Sequence, residues 1–187
     1  SAETNNNPEF TIETGLKLLN QSKGGNKDIE IAVANSFLGQ GYRLLGNNIK
    51  ALDYHHKAIA SAEKSDNLSI LAWTENQLAH IYKDREEYEK AISLYLSASE
   101  HADKGKNERI KGFAPLNLGT VYLSTNNLDS SLMYSQRAYE TAVRQKVNFS
   151  ISVVFINLGS VQSKMGNPSL AVSYFNMAIN QSLGTPY

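Results

Sequence analysis

The chain has 187 residues and carries 18 basic side chains (lysine plus arginine) against 18 acidic ones. This even balance excludes an overall basic field of the kind that recruits nucleic acid or acidic membrane. The absence of cysteine excludes disulfides, thiolate metal sites and a cysteine nucleophile. Hydrophobic residues make up 41% of the chain, which fits a folded domain or a run of repeats. No apolar run approaches the roughly 20 residues that span a bilayer.

The chain begins with a polar stretch, "SAETNNN". We predict that residues 1–7 are a disordered tail or the remnant of a cleaved tag. The next segment, residues 8–22, predicts a helix that matches the second half of the repeats that follow, with Ile12 in register with Leu52 and Ile92. We therefore expect a half repeat over residues 8–27.

From Leu38 onward the sequence recurs every 40 residues without a gap. The segment "LGQGYRLLGNN" returns as "LAHIYKDREEY", "LGTVYLSTNNL" and "LGSVQSKMGNP". The recurring columns are Leu38, Leu78, Leu118 and Leu158; Gly39, Ala79, Gly119 and Gly159; Tyr42, Tyr82, Tyr122 and then Gln162; Ala51, Ala91, Ser131 and Ala171; and Ala58, Ala98, Ala138 and Ala178. Several columns in one register point to an internal repeat, which decides the fold.

Each repeat reads as two helices separated by turn residues such as "LGNN" and "STNN". Leu118, Gly119 and Tyr122 share one face of the first helix. Small residues in fixed columns let helix backbones approach, so the glycine after the leucine is predicted to be a packing residue within a helix. We predict repeats at about residues 28–66, 67–106, 107–146 and 147–187, stacked as one solenoid over residues 8–187.

The pattern Leu-Gly-x-x-Tyr, then eight residues, then Ala and a second Ala seven further on, resembles the tetratricopeptide repeat. That family has a period of about 34 residues, so six extra residues fall after Ala58, Ala98 and Ala138. HEAT repeats have a comparable period, but the columns favour the tetratricopeptide interpretation. The resemblance implies an all-α fold, a right-handed superhelical solenoid of antiparallel helix pairs. We read the chain as a piece of a longer solenoid.

Two positions depart from the family pattern. The bulky aromatic expected before the Leu-Gly is present only as Phe155, since Asn35, Glu75 and Pro115 stand in the other repeats. Pro115 falls inside a predicted first helix and deletes a hydrogen bond, so we expect a kink near residues 111–115.

In this family the first helices line a concave groove, and the resemblance places a column of amides, Gln77, Asn117 and Asn157, on it. An amide both donates and accepts, so a ladder of amides can pair with the backbone of an extended peptide. The alternatives are that these amides cap neighbouring helices or face water.

Other side chains share the predicted groove. Trp73 and Phe113 belong to a column with Val33 and Val153 that offers apolar anchors, or else packs one first helix on the next. The polar positions and edge cations that complete the predicted binding set are His80, Thr120, Ser160, Arg43 and Lys83. Solvated edge charge is the alternative for the two cations.

The sequence offers few candidates for a metal site or a catalytic site. His55 and His56 are adjacent and point about 100° apart on a helix, and His80 with Asp84 lacks a third ligand, so we predict no metal. No phosphate loop, nucleophile elbow or zinc-protease motif is present. We predict no cofactor and no enzymatic activity.

We interpret the chain as a non-catalytic peptide- or protein-binding module, the sensing or interaction part of a larger bacterial signalling protein such as a sensor histidine kinase or transcriptional regulator. The even charge, low lysine density and asparagine-rich turns resemble the sensor regions of bacterial signalling proteins, and that resemblance implies an extracytoplasmic in preference to a cytoplasmic place. The alternatives are a scaffold that self-associates through the solenoid ends and a cytoplasmic peptide-pheromone receptor. No direct contact with nucleic acid and no membrane insertion are expected.

Overall fold

The computed structural model describes residues 7–22, 27–145 and 151–183, and within these the regular structure is entirely α-helical. The predicted tail over residues 1–7 lies outside the described residues except for Asn7. The helices are, in chain order, α1 (Pro8–Gln21), α2 (Asp28–Leu44), α3 (Asn48–Lys64), α4 (Leu68–Asp84), α5 (Tyr88–Lys104), α6 (Glu108–Ser124), α7 (Leu128–Gln145), α8 (Ile151–Lys164) and α9 (Pro168–Leu183).

The chain divides into two compact units, Ser1–Asn107 and Glu108–Tyr187. In the first unit α2 packs on α3 and α4 on α5, while α4 also lies against α2 and α3. In the second unit α6 packs on α7 and α8 on α9, while α8 lies against α6 and α7. The even-numbered helices α2 to α8 are the first helices of the predicted repeats, and α3 to α9 are the second helices.

Each first helix ends in a tight turn that reverses the chain. The backbone N–H of Asn47 donates to the carbonyl of Tyr42 over 2.9 Å and that of Gly46 donates to Arg43 over 2.9 Å, the pairing of a Schellman motif. Gly46 has a φ of +73°, as this motif requires. The Asn47 side chain then accepts from the N–H of Lys50 over 3.1 Å, which caps the start of α3.

The small-residue columns form the core, as the recurrence predicts. Ala51, Ala91, Ser131, Ala58, Ala98 and Ala138 are fully buried, and Ala171 and Ala178 nearly so. In the first unit Leu78 and Ile81 of α4 pack on Ala51 of α3. Bulky side chains of one repeat thus fill the space beside the alanines of the repeat before it.

The glycine of the Leu-Gly pair is a packing residue, which confirms the prediction. Gly39 lies inside α2, and a Cβ there would come within 2.6 Å of the His55 ring on α3. Gly119 and Gly159 face Ser135 and Phe175 in the same way. At this point the backbone of the first helix of a repeat therefore contacts a side chain of the second helix.

Helix α1 packs on α2 through a second pair of glycines. A Cβ on Gly41 would lie 2.5 Å from Ile12, and one on Gly15 would lie 2.8 Å from Leu38. Ile12, which precedes Leu52 by 40 residues, therefore contacts α2 at Gly41.

Proline does not end α6. The helix runs from Glu108 to Ser124 with Pro115 buried in its middle. The helix therefore continues through the proline.

Candidate functional site

The first helices of the first unit bring Trp73 and Gln77 of the predicted binding set together with two side chains of α2, Phe37 and Gln40. Phe37 on α2 and Trp73 on α4 have ring centroids 6.0 Å apart at an angle of 59°. Beside them, Nε2 of Gln77 donates to Oε1 of Gln40 over 3.4 Å. All four side chains are half-buried. We call this group, Phe37, Gln40, Trp73 and Gln77, the aromatic–amide patch.

The side chains at the equivalent positions of the second unit make a shorter hydrogen bond. Nδ2 of Asn157 donates to Oγ1 of Thr120 over 2.9 Å, and the Thr120 hydroxyl donates to the Leu116 carbonyl over 3.0 Å. Asn157 is only 5% exposed. Asn117 on α6 and Ser160 on α8 are half-buried. The side-chain amide of Asn157 therefore donates a hydrogen bond to α6, the preceding first helix of the same unit.

Phe113 occupies the apolar position of the same face in the second unit. The Arg109 guanidinium lies 5.5 Å from the centroid of its ring, and the ring packs against the core cluster that contains Leu116 and Val154. Val153, in the same column as Phe113, is 37% exposed. Phe113 thus contributes to packing as well as to the surface.

The amide contacts follow one rule in both units. Gln40 bonds with Gln77 and Thr120 bonds with Asn157, each pair 37 residues apart. The observed contacts of Gln77 and Asn157 are therefore bonds between successive first helices.

The cations at the edge of the predicted groove have carboxylate or carbonyl partners. Arg43 pairs with Asp84 over 2.7 Å, and Lys83 lies 3.5 Å from the other oxygen of that carboxylate. Nζ of Lys164 donates over 3.3 Å to the carbonyl of Leu123. Pairs this exposed contribute little to stability, about 0–1 kcal/mol, and they offset much of the charge that a ligand carboxylate would meet.

His80 is half-buried and contacts the neighbouring second helix α5. Its Nδ1 lies 2.9 Å from the hydroxyl of Tyr95, which is fully buried on α5. Its Nε2 lies 3.4 Å from Nδ2 of Asn76. Burial, and then the charges of Lys83 and Arg43, lower the pKa of His80 to about 3, so the ring is neutral at physiological pH.

His55 is a fully buried imidazole that the sequence did not mark as structural. It is 1% exposed, and neither ring nitrogen has a hydrogen-bond partner. Burial lowers its pKa to about 3, with smaller contributions from Arg43, His80 and His56. The repeat contains a feature that could have indicated this burial. His55 shares a column with Tyr95, Ser135 and Phe175, and this column faces the small residue of the Leu-Gly pair.

A partly buried polar cluster joins α4 to α5. The Ser97 hydroxyl donates to one oxygen of Glu75 over 2.6 Å, and Nδ1 of His101 lies 2.8 Å from the other. In a catalytic triad the serine and the acid occupy opposite nitrogens of the histidine. Here Ser97 lies 3.5 Å from the same Nδ1 and gives its proton to the carboxylate. This geometry clamps two helices and does not activate the serine.

Two further searches cover only the described ranges of the chain. No three metal-ligating side chains come together there. No helix in these ranges combines the length and apolarity that a membrane crossing requires.

Comparison with known proteins identifies the repeat. Residues 30–104 match the family model described as tetratricopeptide repeat. No curated protein matches the chain. BtubC (BKLC) from P. vanneervenii has a similar structure, with a TM-score of 0.76, 22% identity, and coverage of 96% of this chain and 74% of BtubC.

Two other solved structures are similar. The apo form of RapI matches with a TM-score of 0.73 and 19% identity over 81% of this chain, which spans 42% of RapI. MamA matches with a TM-score of 0.66 and 19% identity over 97% of this chain and 92% of MamA. At these identities the likeness shows the fold alone, and it confirms the predicted class, an all-α solenoid of the tetratricopeptide type.

Proposed function

The chain carries tetratricopeptide repeats over residues 30–104, and from that premise we propose that it is a non-catalytic module that binds an extended peptide on the face of its first helices. Tetratricopeptide repeats are in general protein-interaction modules. The peptide, the contacting residues and the biological setting are the parts that we propose.

The observation that carries the proposal is the aromatic–amide patch of the first unit. Trp73 and Phe37 offer a half-buried apolar surface, and aromatic side chains of this kind dominate binding energy when a ligand covers them. Gln40 and Gln77 bond to each other and follow Phe37 and Trp73 by three and four residues, on the same faces of α2 and α4. A peptide side chain on the aromatic pair would bring its backbone within reach of both amides.

The weakness of the amide pair supports its role in binding. A hydrogen bond of 3.4 Å is longer than the usual 2.7–3.2 Å. Exchange of this bond for bonds to a peptide N–H and C=O therefore costs little, and the recognition is independent of peptide sequence. Asn157, by contrast, is buried with a bond of 2.9 Å to Thr120, so we assign this pair to positioning of α6 against α8.

The other residues of the predicted binding set have smaller roles in this proposal. In the second unit, Asn117, Phe113 and Ser160 form a peptide-binding face of that unit by itself. Arg43 and Lys83 supply long-range attraction to acidic peptides, weakened by their shared partner Asp84. His80 supports the face from behind.

Selection from a phage-displayed library of random peptides tests the proposal. We expect the wild-type protein to enrich peptides that share an apolar anchor, and we expect Trp73→Ala combined with Gln77→Ala to lose them. Loss of a central aromatic anchor costs about 2 kcal/mol or more, at least tenfold in Kd. Met133→Ala, at a 54% exposed position on α7, is the matched control. No enrichment, or equal capture by the double variant with an unchanged circular dichroism spectrum, would refute the proposal.

We further propose that the module is the sensing or interaction part of a larger bacterial signalling protein, such as a sensor histidine kinase or transcriptional regulator. The sequence of the gene on both sides of the encoded segment tests this directly. A kinase or DNA-binding domain in the same reading frame is expected, and a gene that encodes repeats alone would contradict the assignment.

A further inference from the structure

The packing of α3 on α2 includes an imidazole whose two ring nitrogens lack hydrogen-bond partners. The His55 ring of α3 is fully buried. It lies so close to Gly39 of α2 that a Cβ there would come within 2.6 Å of the ring. A neutral imidazole carries one N–H and an imidazolium carries two. Protonation would therefore bring a full charge and a second unpaired N–H into a packed contact.

The groups that face His55 would not balance that charge. Helix α3 packs on α2 and α4, and the titratable groups of these three helices that act on His55 are all basic. They are Arg43 on α2, His56 on α3 itself and His80 on α4. The carboxylate of Asp84 on α4 pairs with Arg43 and Lys83, over 2.7 and 3.5 Å. A proton on His55 would therefore add positive charge beside basic neighbours.

The other histidines are better placed to take up a proton. The chain has four, and His56 is exposed. His80 is half-buried, with the Tyr95 hydroxyl 2.9 Å from its Nδ1. Nδ1 of His101 lies 2.8 Å from a carboxylate oxygen of Glu75. His55 thus combines full burial with the lack of a partner, and this combination makes α2 and α3 the acid-sensitive helix pair.

We propose that acid separates α2 from α3 locally, through protonation of His55, before the rest of the chain unfolds. Helix pairs in a solenoid contact only their neighbours, so one pair can open while others stay closed. Helix α2 carries Phe37 and Gln40, so its opening would loosen half of the aromatic–amide patch. This weaker hold on peptide in acid rests on the proposed function, whereas the opening itself does not.

Hydrogen exchange of the backbone amides, followed by NMR at pH 7 and pH 5, tests the opening. An exposed histidine has a pKa near 6.5, whereas burial, and then its basic neighbours, lower the pKa of folded His55 to about 3. Uptake of one proton on opening therefore raises the opening constant about twenty-fivefold between pH 7 and pH 5. We expect this rise in α2 and α3, after correction for intrinsic exchange rates. The second unit contains no histidine, so α6 and α7 should show no comparable rise.

Two variants assign the effect to one side chain. His55→Phe should remove the rise, because a phenyl ring takes no proton and Phe175 already occupies the equivalent place against Gly159. His56→Ala, at the exposed neighbouring position, should keep it. The comparison between helices of the wild type decides even if His55→Phe folds poorly. No rise in α2 and α3, an equal rise in α6 and α7, or an undiminished rise in folded His55→Phe would overturn the proposal.

A bound peptide separates this inference from the proposed function. A peptide that binds the closed patch, present at a hundred times its Kd, should lower the opening constant of α2 about a hundredfold at pH 5. Unchanged exchange of α2 with peptide bound would refute the link between opening and binding. Failure to select any peptide would refute the proposed function, while the exchange measured without peptide would still decide the opening.

Discussion

The column opposite the Leu-Gly glycine holds a different side chain in every repeat, namely His55, Tyr95, Ser135 and Phe175. His55 is the energetically least favourable of them, because its ring is buried and neither ring nitrogen has a hydrogen-bond partner. Protonation would place a charge in this dry contact beside Arg43. The folded protein therefore holds His55 neutral.

This burial predicts a loss of stability in acid. Unfolded histidine binds a proton below about pH 6.5, whereas folded His55 stays neutral down to about pH 3. The unfolded state binds more protons in this window, so the free energy of unfolding falls as the pH drops through it, by about 2 kcal/mol at pH 5. His80, whose pKa is lowered in the same direction, adds to the loss. Urea unfolding at pH 7 and pH 5 measures the difference.

A matched variant isolates the His55 contribution. Phe175 already fills the same column against Gly159, so His55→Phe should fit against Gly39 and unfold at pH 7 with a similar free energy. Its pH dependence should be shallower than that of the wild type. An identical loss between pH 7 and pH 5 in both proteins would show that His55 does not carry the effect.

Single residues also mark a limit of prediction from sequence. The glycine of the Leu-Gly pair was predicted as a packing residue because it recurs in a fixed column. The orientation of the His80 ring was not predicted, because the helix register fixes only the side of the helix from which a side chain leaves the backbone. Its ring turns inward because the Tyr95 hydroxyl is buried within 2.9 Å, a partner on another helix that no spacing in the sequence reveals.

At the scale of helices and turns, the connection after each first helix uses a left-handed residue. Gly46 and Gly166 fill this position in two repeats, with φ of +73° and +82°, and Glu86 and Asn126 fill it in the others at +61° and +58°. Glycine adopts this conformation without steric cost, whereas a residue with a Cβ pays about 1 kcal/mol. Glu86 is therefore a strained turn residue.

Glu86→Gly should stabilise the protein by about 1 kcal/mol, because the glycine that two other repeats use relieves the strain. Chemical denaturation at neutral pH measures the change. Ser93→Gly, at an exposed position inside α5, serves as the control and should destabilise by about 0.5 kcal/mol. If both glycines destabilise alike, the turn is not strained.

The helix register was predictable, but the bonds between helices were not. Column analysis compares residues 40 apart, and it located the core alanines such as Ala98. Contacts between successive first helices instead join residues offset from the columns, Gln40 with Gln77 and Thr120 with Asn157. A repeat alignment therefore shows which residues are equivalent and not which ones touch.

At the scale of the whole molecule, charge and polarity are divided along the chain. The net charge is zero, with 18 charges of each sign, yet residues 151–183 hold only Lys164. The first unit carries the aromatic–amide patch and the fully buried His55.

The side-chain amide resonances of the protein test the central claim, that the first-helix face binds peptide backbone. A peptide selected by the wild-type protein is titrated while the glutamine and asparagine NH₂ signals are followed by NMR. We predict that the signals of Gln40 and Gln77 shift in a saturable manner, while that of Asn176 on the exposed side of α9 does not move. Shifts confined to the second helices, with Gln40 and Gln77 unchanged at saturation, would contradict the account.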